Sequence, residues 1–140
     1  MKTERCLLDA HIAVYVLFDQ SELDRAVSKL FSDYTVERYI STVSVQEIIH
    51  LQKIGKVESY GEKPEDIILA CETAGFKLLP VNREHLRAYA NLTTNPDHKD
   101  PNDHIIIAQA IAERMTLISS DRQFDFYTRQ KLRLLFNRRG

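Results

Sequence analysis

The sequence has no apolar run long enough to cross a membrane. After the charged segment Met1 to Arg5, the first hydrophobic stretch is interrupted by Asp9 and His11, short of both a signal-peptide core and a membrane span. An excess of basic charge is also missing. With 19 Lys and Arg against 20 Asp and Glu, the formal net charge is −1, which argues against indiscriminate coating of nucleic acid and confines any phosphate contact to a local patch. Cysteine is scarce: Cys6 and Cys71 form no close pair and no CxxC spacing, and both stand in apolar surroundings. They read as small buried hydrophobes, and a reducing cytoplasm is the expected setting. The chain contains no glycine-rich phosphate loop, no nucleophilic serine elbow, no internal repeat, no low-complexity tract and no linker.

What is present suits one domain spanning residues 1–140, since 140 residues that are 44% apolar supply one sizeable core. Cys6-Leu7-Leu8 reads as a buried strand ending at Asp9. Helices are expected from His11 to Phe18 and from Leu23 to Tyr34, where Leu23, Ala26, Val27, Leu30 and Phe31 recur at helical spacing behind Ser21 as N-cap. Val36 to Thr42 is rich in β-formers, and the pattern turns helical at Ser44. Gly55, Gly61 and Pro64 punctuate a polar stretch before a helix from Glu65 to Thr73, and Gly75 introduces a strand from Phe76 to Pro80. A helix from Arg83 to Leu92, a polar loop from Thr93 to Lys99 and a very apolar helix from Pro101 to Met115 follow. Strands at Thr116 to Ser120 and Leu132 to Phe136 close the chain. Alternating strands and helices predict an α/β fold with a mainly parallel sheet of about five strands between helical layers.

Four carboxylates stand at the junctions of these elements, and each has a structural explanation on its own. Asp9 follows the first strand and can cap the next helix. Glu47 stands three residues after Ser44, the capping-box spacing. Asp100 before Pro101 reads as an N-cap, with Asp103 in the first turn, and Asp121 can cap the short helix containing Phe124. Taken together they point further. In a parallel sheet the strands end and the next helices begin along one edge, where ligands bind in open sheets, so Asp9, Glu47, Asp103 and Asp121 are expected in one cleft. Crowded carboxylates need either raised pKa values or a neutralising cation. Oxygen-only ligands select Mg²⁺ or Mn²⁺, and ions held this way serve in-line displacement at phosphorus. The expected reaction is hydrolysis of a phosphodiester.

The segments Leu7-Leu8-Asp9-Ala10-His11, Ser41-Thr42-Val43-Ser44-Val45-Gln46-Glu47-Ile48, Asp100-Pro101-Asn102-Asp103-His104 with Ile105-Ile106-Ile107-Ala108-Gln109-Ala110, and Leu117-Ile118-Ser119-Ser120-Asp121 with Phe124 and Tyr127 follow in an order that carries a resemblance. Over nearly its whole length the chain resembles a PIN-domain ribonuclease of the VapC toxin type. The resemblance implies a three-layer α/β/α sandwich and an endoribonuclease with Asp9, Glu47, Asp103 and Asp121 as its metal-binding catalytic acids, Asp100 being a lesser candidate. It further implies Mg²⁺ or Mn²⁺ as cofactor, RNA as substrate, an antitoxin protein as partner and a homodimer. Two departures stand out: Ala10 replaces the usual Thr, removing a hydroxyl that would orient Asp9 or a water, and Asn102 and His104 replace the usual Phe and Arg.

Other residues admit two readings. His11 and His104 adjoin the acids and would allow an imidazole-containing zinc or manganese site, although such histidines are more often surface or hydrogen-bonded groups. Ser44, Ser119 and Ser120 suit a bound water or phosphate, or caps and turns. Arg129, Lys131, Arg133, Arg138 and Arg139 make a basic end that would meet an RNA backbone, or a solvated face. The acidic Asp19, Glu22 and Asp24 would suit a basic partner segment. Val14, Tyr15, Leu17 and Phe18 would line a dimer or antitoxin groove, or pack in the core. The competing functional classes are a weak or inactive PIN domain acting as an RNA- or protein-binding module, and a phosphatase forming an aspartyl phosphate on Asp9. The phosphatase would need an acid two residues on, where His11 stands.

Overall fold

A computed structural model describes residues 4–57 and 63–138. Five strands form one sheet: β1 (Arg5–Leu8), β2 (Glu37–Ser41), β3 (Phe76–Leu79), β4 (Thr116–Ser119) and β5 (Arg133–Phe136). Their order is β3-β2-β1-β4-β5 and every neighbouring pair is parallel. In register, Leu8 lies between Ile40 and Ile118, Ser41 pairs with Leu79, and Ser119 pairs with Phe136. All five C-terminal ends therefore meet one edge. Strand-to-strand returns are made by α1 (Ala10–Phe18), α2 (Arg25–Phe31), α3 (Thr42–Lys53), α4 (Asp66–Thr73), α5 (Arg83–Asn91), α6 (Pro101–Glu113) and a 3₁₀ segment over Arg122–Gln130.

Alternation of side chains across β1 divides the core. Cys6 and Leu8 pack on one face with Ile12, Ile48 and Ile67 from α1, α3 and α4, whereas Leu7 faces Ile106, Ile107, Phe124 and Tyr127 from α6 and the 3₁₀ segment. The result is the three-layer α/β/α sandwich. Full burial of each large side chain stabilises the fold by about 1.5–3 kcal/mol before entropy is counted. Apolar residues nearly all round α6 reflect its cover on several sides: residues 104–110 are all buried. Both cysteines are free and buried, and burial raises the Cys6 thiol to about 12 and the Cys71 thiol to about 11. Among the described residues no helix is long and apolar enough to cross a membrane.

Several boundaries differ from the sequence expectation. The second helix begins at Arg25 and is capped by Asp24, which accepts from Val27 N at 2.8 Å; Ser21 lies instead in a 3₁₀ turn over Gln20–Glu22. Helix α3 starts directly after β2, because Ser41 ends the strand and also caps the helix, accepting from Val43 N at 3.1 Å. Ser44 is therefore inside the helix, and the capping box that would have explained Glu47 does not exist. Helix α6 stops at Glu113, where Arg114 turns left-handed and releases Met115 to the core. Gly61 lies outside the described residues.

Candidate active site

Asp9 occupies the N-cap position of α1, yet its side chain makes no capping hydrogen bond. Its carboxylate turns to the neighbouring strand end and accepts from Ser119 Oγ at 2.8 Å. The same hydroxyl oxygen accepts from Asp121 N at 3.0 Å, so one buried serine couples the acids that terminate β1 and β4. Burial pushes the Asp9 pKa up; the Ser119 hydroxyl and His11 oppose the rise and Asp121 adds to it. Asp121 also performs the capping role expected of it, accepting from Gln123 N at 2.9 Å. Asp100 likewise caps α6, accepting from Asn102 N at 2.9 Å.

Glu47 is half-buried on α3, and burial followed by the charge of Asp9 raises its pKa. Asp103 shows the effect most strongly. Burial, then the charges of Asp9, Asp100, Glu47 and Asp121, push its carboxyl up to about 8. The four acids thus line one cleft of about 670 Å³, together with Asp100, His11, Tyr15, His50 and Arg122. Asp9, Glu47, Asp103 and Asp121 arrive from four different elements, as the parallel topology requires.

The polar loop before α6 supplies a residue that sequence reading passed over. His98 is buried, and its Nε2 lies 2.9 Å from Asp103 Oδ2 while its Nδ1 lies 3.1 Å from the Tyr127 hydroxyl. That hydroxyl accepts from Asn95 N at 3.2 Å; in the tautomer protonated at Nε2 it donates its own proton to His98 Nδ1, and Nε2–H donates to Asp103. One ligand atom each from His98, Asp103 and Asp121 can be chosen with all three within 4.8 Å of one another. Nothing local singles it out: it is a histidine five residues before a first-turn acid, in a loop whose length alone gave no reason to bury it.

His104 proves structural. It is buried, its Nε2 donates to the His98 carbonyl at 2.6 Å, and its ring meets that of His98 edge-on with centroids 4.8 Å apart. It braces the loop and does not line the acid cleft, whereas His11 does. The Ser44 hydroxyl is buried without a hydrogen-bond partner among the described residues, away from solvent. Ala10 is buried and offers Asp9 no hydroxyl; the hydroxyl that Asp9 does bind is that of Ser119. Val14, Tyr15, Leu17 and Phe18 pack against the core as partly buried residues.

An open parallel sheet with its carboxylates gathered at the C-terminal edge defines the class to which this molecule conforms, the acid-lined α/β sandwich. The particular family follows from sequence: a family model described as PIN domain matches residues 6–129, and the chain belongs to that family. Solved structures share the fold. VapBC2 from Rickettsia felis, bound to a promoter DNA fragment, superposes with a TM-score of 0.65 at 17% identity, covering 96% of this chain and 99% of that one. FitAcB from Neisseria gonorrhoeae gives 0.67 at 20% identity, covering 94% and 96%. VapBC-5 from Mycobacterium tuberculosis, a member of the VapBC family of toxin-antitoxin systems, gives 0.58 at 17% identity, covering 96% and 98%. No curated protein sequence matches the chain. The resemblance carried by the motifs agrees with both the family and these neighbours.

Proposed function

We propose that the protein is a divalent-metal-dependent endoribonuclease, the toxin of a toxin-antitoxin pair, with Asp9, Glu47, Asp103 and Asp121 as its metal-binding catalytic acids. The observation that carries the reading is the convergence of these four carboxylates in one cleft, where burial and then mutual repulsion raise the Asp103 carboxyl to about 8. Such a donor set fits Mg²⁺ or Mn²⁺, because a hard cation relieves the repulsion that otherwise has to be met by protonation. When bound, the ion supplies Lewis-acid activation of water and neutralisation of charge at phosphorus. The chain's own residues do the positioning. Ser119 orients Asp9, and His98, held by Tyr127, orients Asp103. Asp121 contributes its remaining oxygen while capping the 3₁₀ segment, and Asp100 stands by as a lesser ligand at the cleft rim.

RNA as the substrate is supported by the family resemblance. An antitoxin partner is supported by neighbours that are themselves toxin-antitoxin complexes. A cytoplasmic homodimer completes the reading. The test is cleavage of a mixed structured RNA pool by purified protein with Mg²⁺ or Mn²⁺, with chelator, and with Asp103→Asn prepared identically. Cutting by the wild type that vanishes in both controls supports the reading, and equal cutting by the variant overturns it. The inward-turned His104 leaves the cleft without a cation at that position, which favours a second reading: a PIN domain that binds metal and RNA without turnover. Metal binding with no cleavage would decide for it.

A further inference from the structure

The acid-lined cleft does not end at Arg122. On the other side of that residue lies a second cavity of about 810 Å³, which shares Ser120 and Arg122 with the cleft and is walled beyond them by Asp125, Phe136 and Arg138. The sheet register accounts for the adjacency: Phe136 ends β5 as the partner of Ser119 and so stands on the same edge as the acids. The Arg122 guanidinium carbon lies over the Phe136 ring, 4.8 Å from its centroid. A guanidinium over an aromatic ring brings together two planar, polarisable groups of the kind that nucleobases stack against.

This wall is held in place from behind. The buried amide of Asn137 donates to Glu22 O and Ser120 Oγ, each at 3.0 Å, and accepts from Asp24 N at 2.7 Å. Arg138 N donates to Asp24 Oδ2 at 2.6 Å. The end of β5 is thereby tied to the start of α2 through Asn137 and Arg138, the two residues that follow Phe136. Electrostatics adds a reason for its position. A cleft lined by five carboxylates repels a polyanion, so the strand must be attracted beside it, and Arg122 and Arg138 border the cavity with no salt bridge to occupy them among the described residues.

We propose that the Arg122–Phe136 pair is a stacking platform for a base of single-stranded RNA adjacent to the scissile phosphate, with Arg138 meeting a neighbouring phosphate. The identity of the strand rests on the nuclease reading. Stacking on a flat π surface accepts any base, so the platform favours unpaired RNA without specifying its sequence.

The test is binding of a fluorescein-labelled 12-nucleotide oligoadenylate and of an abasic ribose-phosphate strand of equal length, in EDTA, to wild type, Phe136→Leu, Arg122→Lys and Arg138→Ala. The expected result is that Phe136→Leu and Arg122→Lys each weaken oligoadenylate binding about tenfold, the loss of one stacked base, while the abasic strand binds within about twofold of wild type. Arg138→Ala weakens both strands alike. Arg122→Lys keeps the charge and loses the plane, and decides the matter if Phe136→Leu does not fold. Equal loss for both strands, no loss for either, or no preference of the wild type for the strand with bases overturns the platform. RNA-pool cleavage with no base-dependent binding would overturn the platform and spare the nuclease reading; base-dependent binding without metal-dependent cleavage would do the reverse.

Discussion

The two edges of the sheet treat their acidic residues in opposite ways. At the N-terminal edge, Glu37 at the start of β2 is paired with Lys77, which holds its carboxyl below the usual range, and Glu113 at the end of α6 meets both Arg5 and the buried His85, the latter at 2.7 Å. At the C-terminal edge, Asp9, Glu47 and Asp103 are buried or half-buried among other carboxylates, and burial first, then the neighbouring charges, raises their pKa values. The first arrangement is complete within the chain. The second is left open within the chain and, on the proposed nuclease reading, a cation would complete it, so the contrast between edges, more than any single acid, picks out the candidate site.

Substitutions at the two edges should separate accordingly, the largest effect falling on cleavage. Asp103→Asn is expected to lower metal-dependent RNA cleavage by on the order of a hundredfold or more, the scale seen when a preorganised electrostatic group is lost. The same change should raise the urea midpoint of the metal-free protein near neutral pH, since it removes a carboxyl that must take up a proton to be buried among its neighbours. Glu113→Gln should do the opposite, leaving cleavage intact and costing about 1–3 kcal/mol in chemical denaturation because His85 and Arg5 lose their charged partner.

The next effect is on pH. Asp103 keeps its proton to about 8 in the folded state, against an ordinary value of 3.8. Through this group the folded protein binds more protons than the unfolded one between those limits, so the stabilisation that Asp103 contributes without metal is fully present below about pH 4 and is lost as pH rises toward 8. The slope integrates to on the order of several kcal/mol. Urea midpoints across this range should decline for the metal-free wild type, and much less for Asp103→Asn or in saturating Mg²⁺. A flat profile for the wild type would remove the electrostatic basis of the site.

Smaller still are the positioning residues. His98→Ala and Ser119→Ala should each reduce metal affinity or cleavage by about 10–100-fold, the usual weight of groups that orient ligands from behind. A decisive readout is the metal concentration for half-maximal cleavage, which should rise, since loss of fold alone would lower the amplitude without moving that midpoint. Least of all, Lys77→Met at the opposite edge should leave both cleavage and melting temperature close to wild type, the pair with Glu37 being solvent-exposed.

The repeating elements were legible because their signals are periodic: buried β1, the apolar α6 and the alternation of strands and helices each follow from spacing in the chain. The grouping of Asp9, Glu47, Asp103 and Asp121 followed from topology, since parallel strands have one C-terminal edge. Caps were less legible, because Asp24 and Ser41 compete with Ser21 and Ser44 for neighbouring positions and tertiary contacts choose between them. His98 was not legible at all. Its role depends on Tyr127, 29 residues later, meeting it across the loop, and no local pattern announces such a contact. His104 shows the reverse, a motif position whose side chain turns into the fold to brace that loop.

Cation binding tests the central claim without requiring the RNA to be known. The melting temperature of wild type and Asp103→Asn would be measured at pH 8 with EDTA and with increasing Mg²⁺ or Mn²⁺, binding to the folded state being read as a concentration-dependent rise. The expected result is a rise for the wild type and little or none for Asp103→Asn, whose EDTA value starts higher. No shift in the wild type, or an equal shift in both, would contradict a cation site built from the acids of the C-terminal edge.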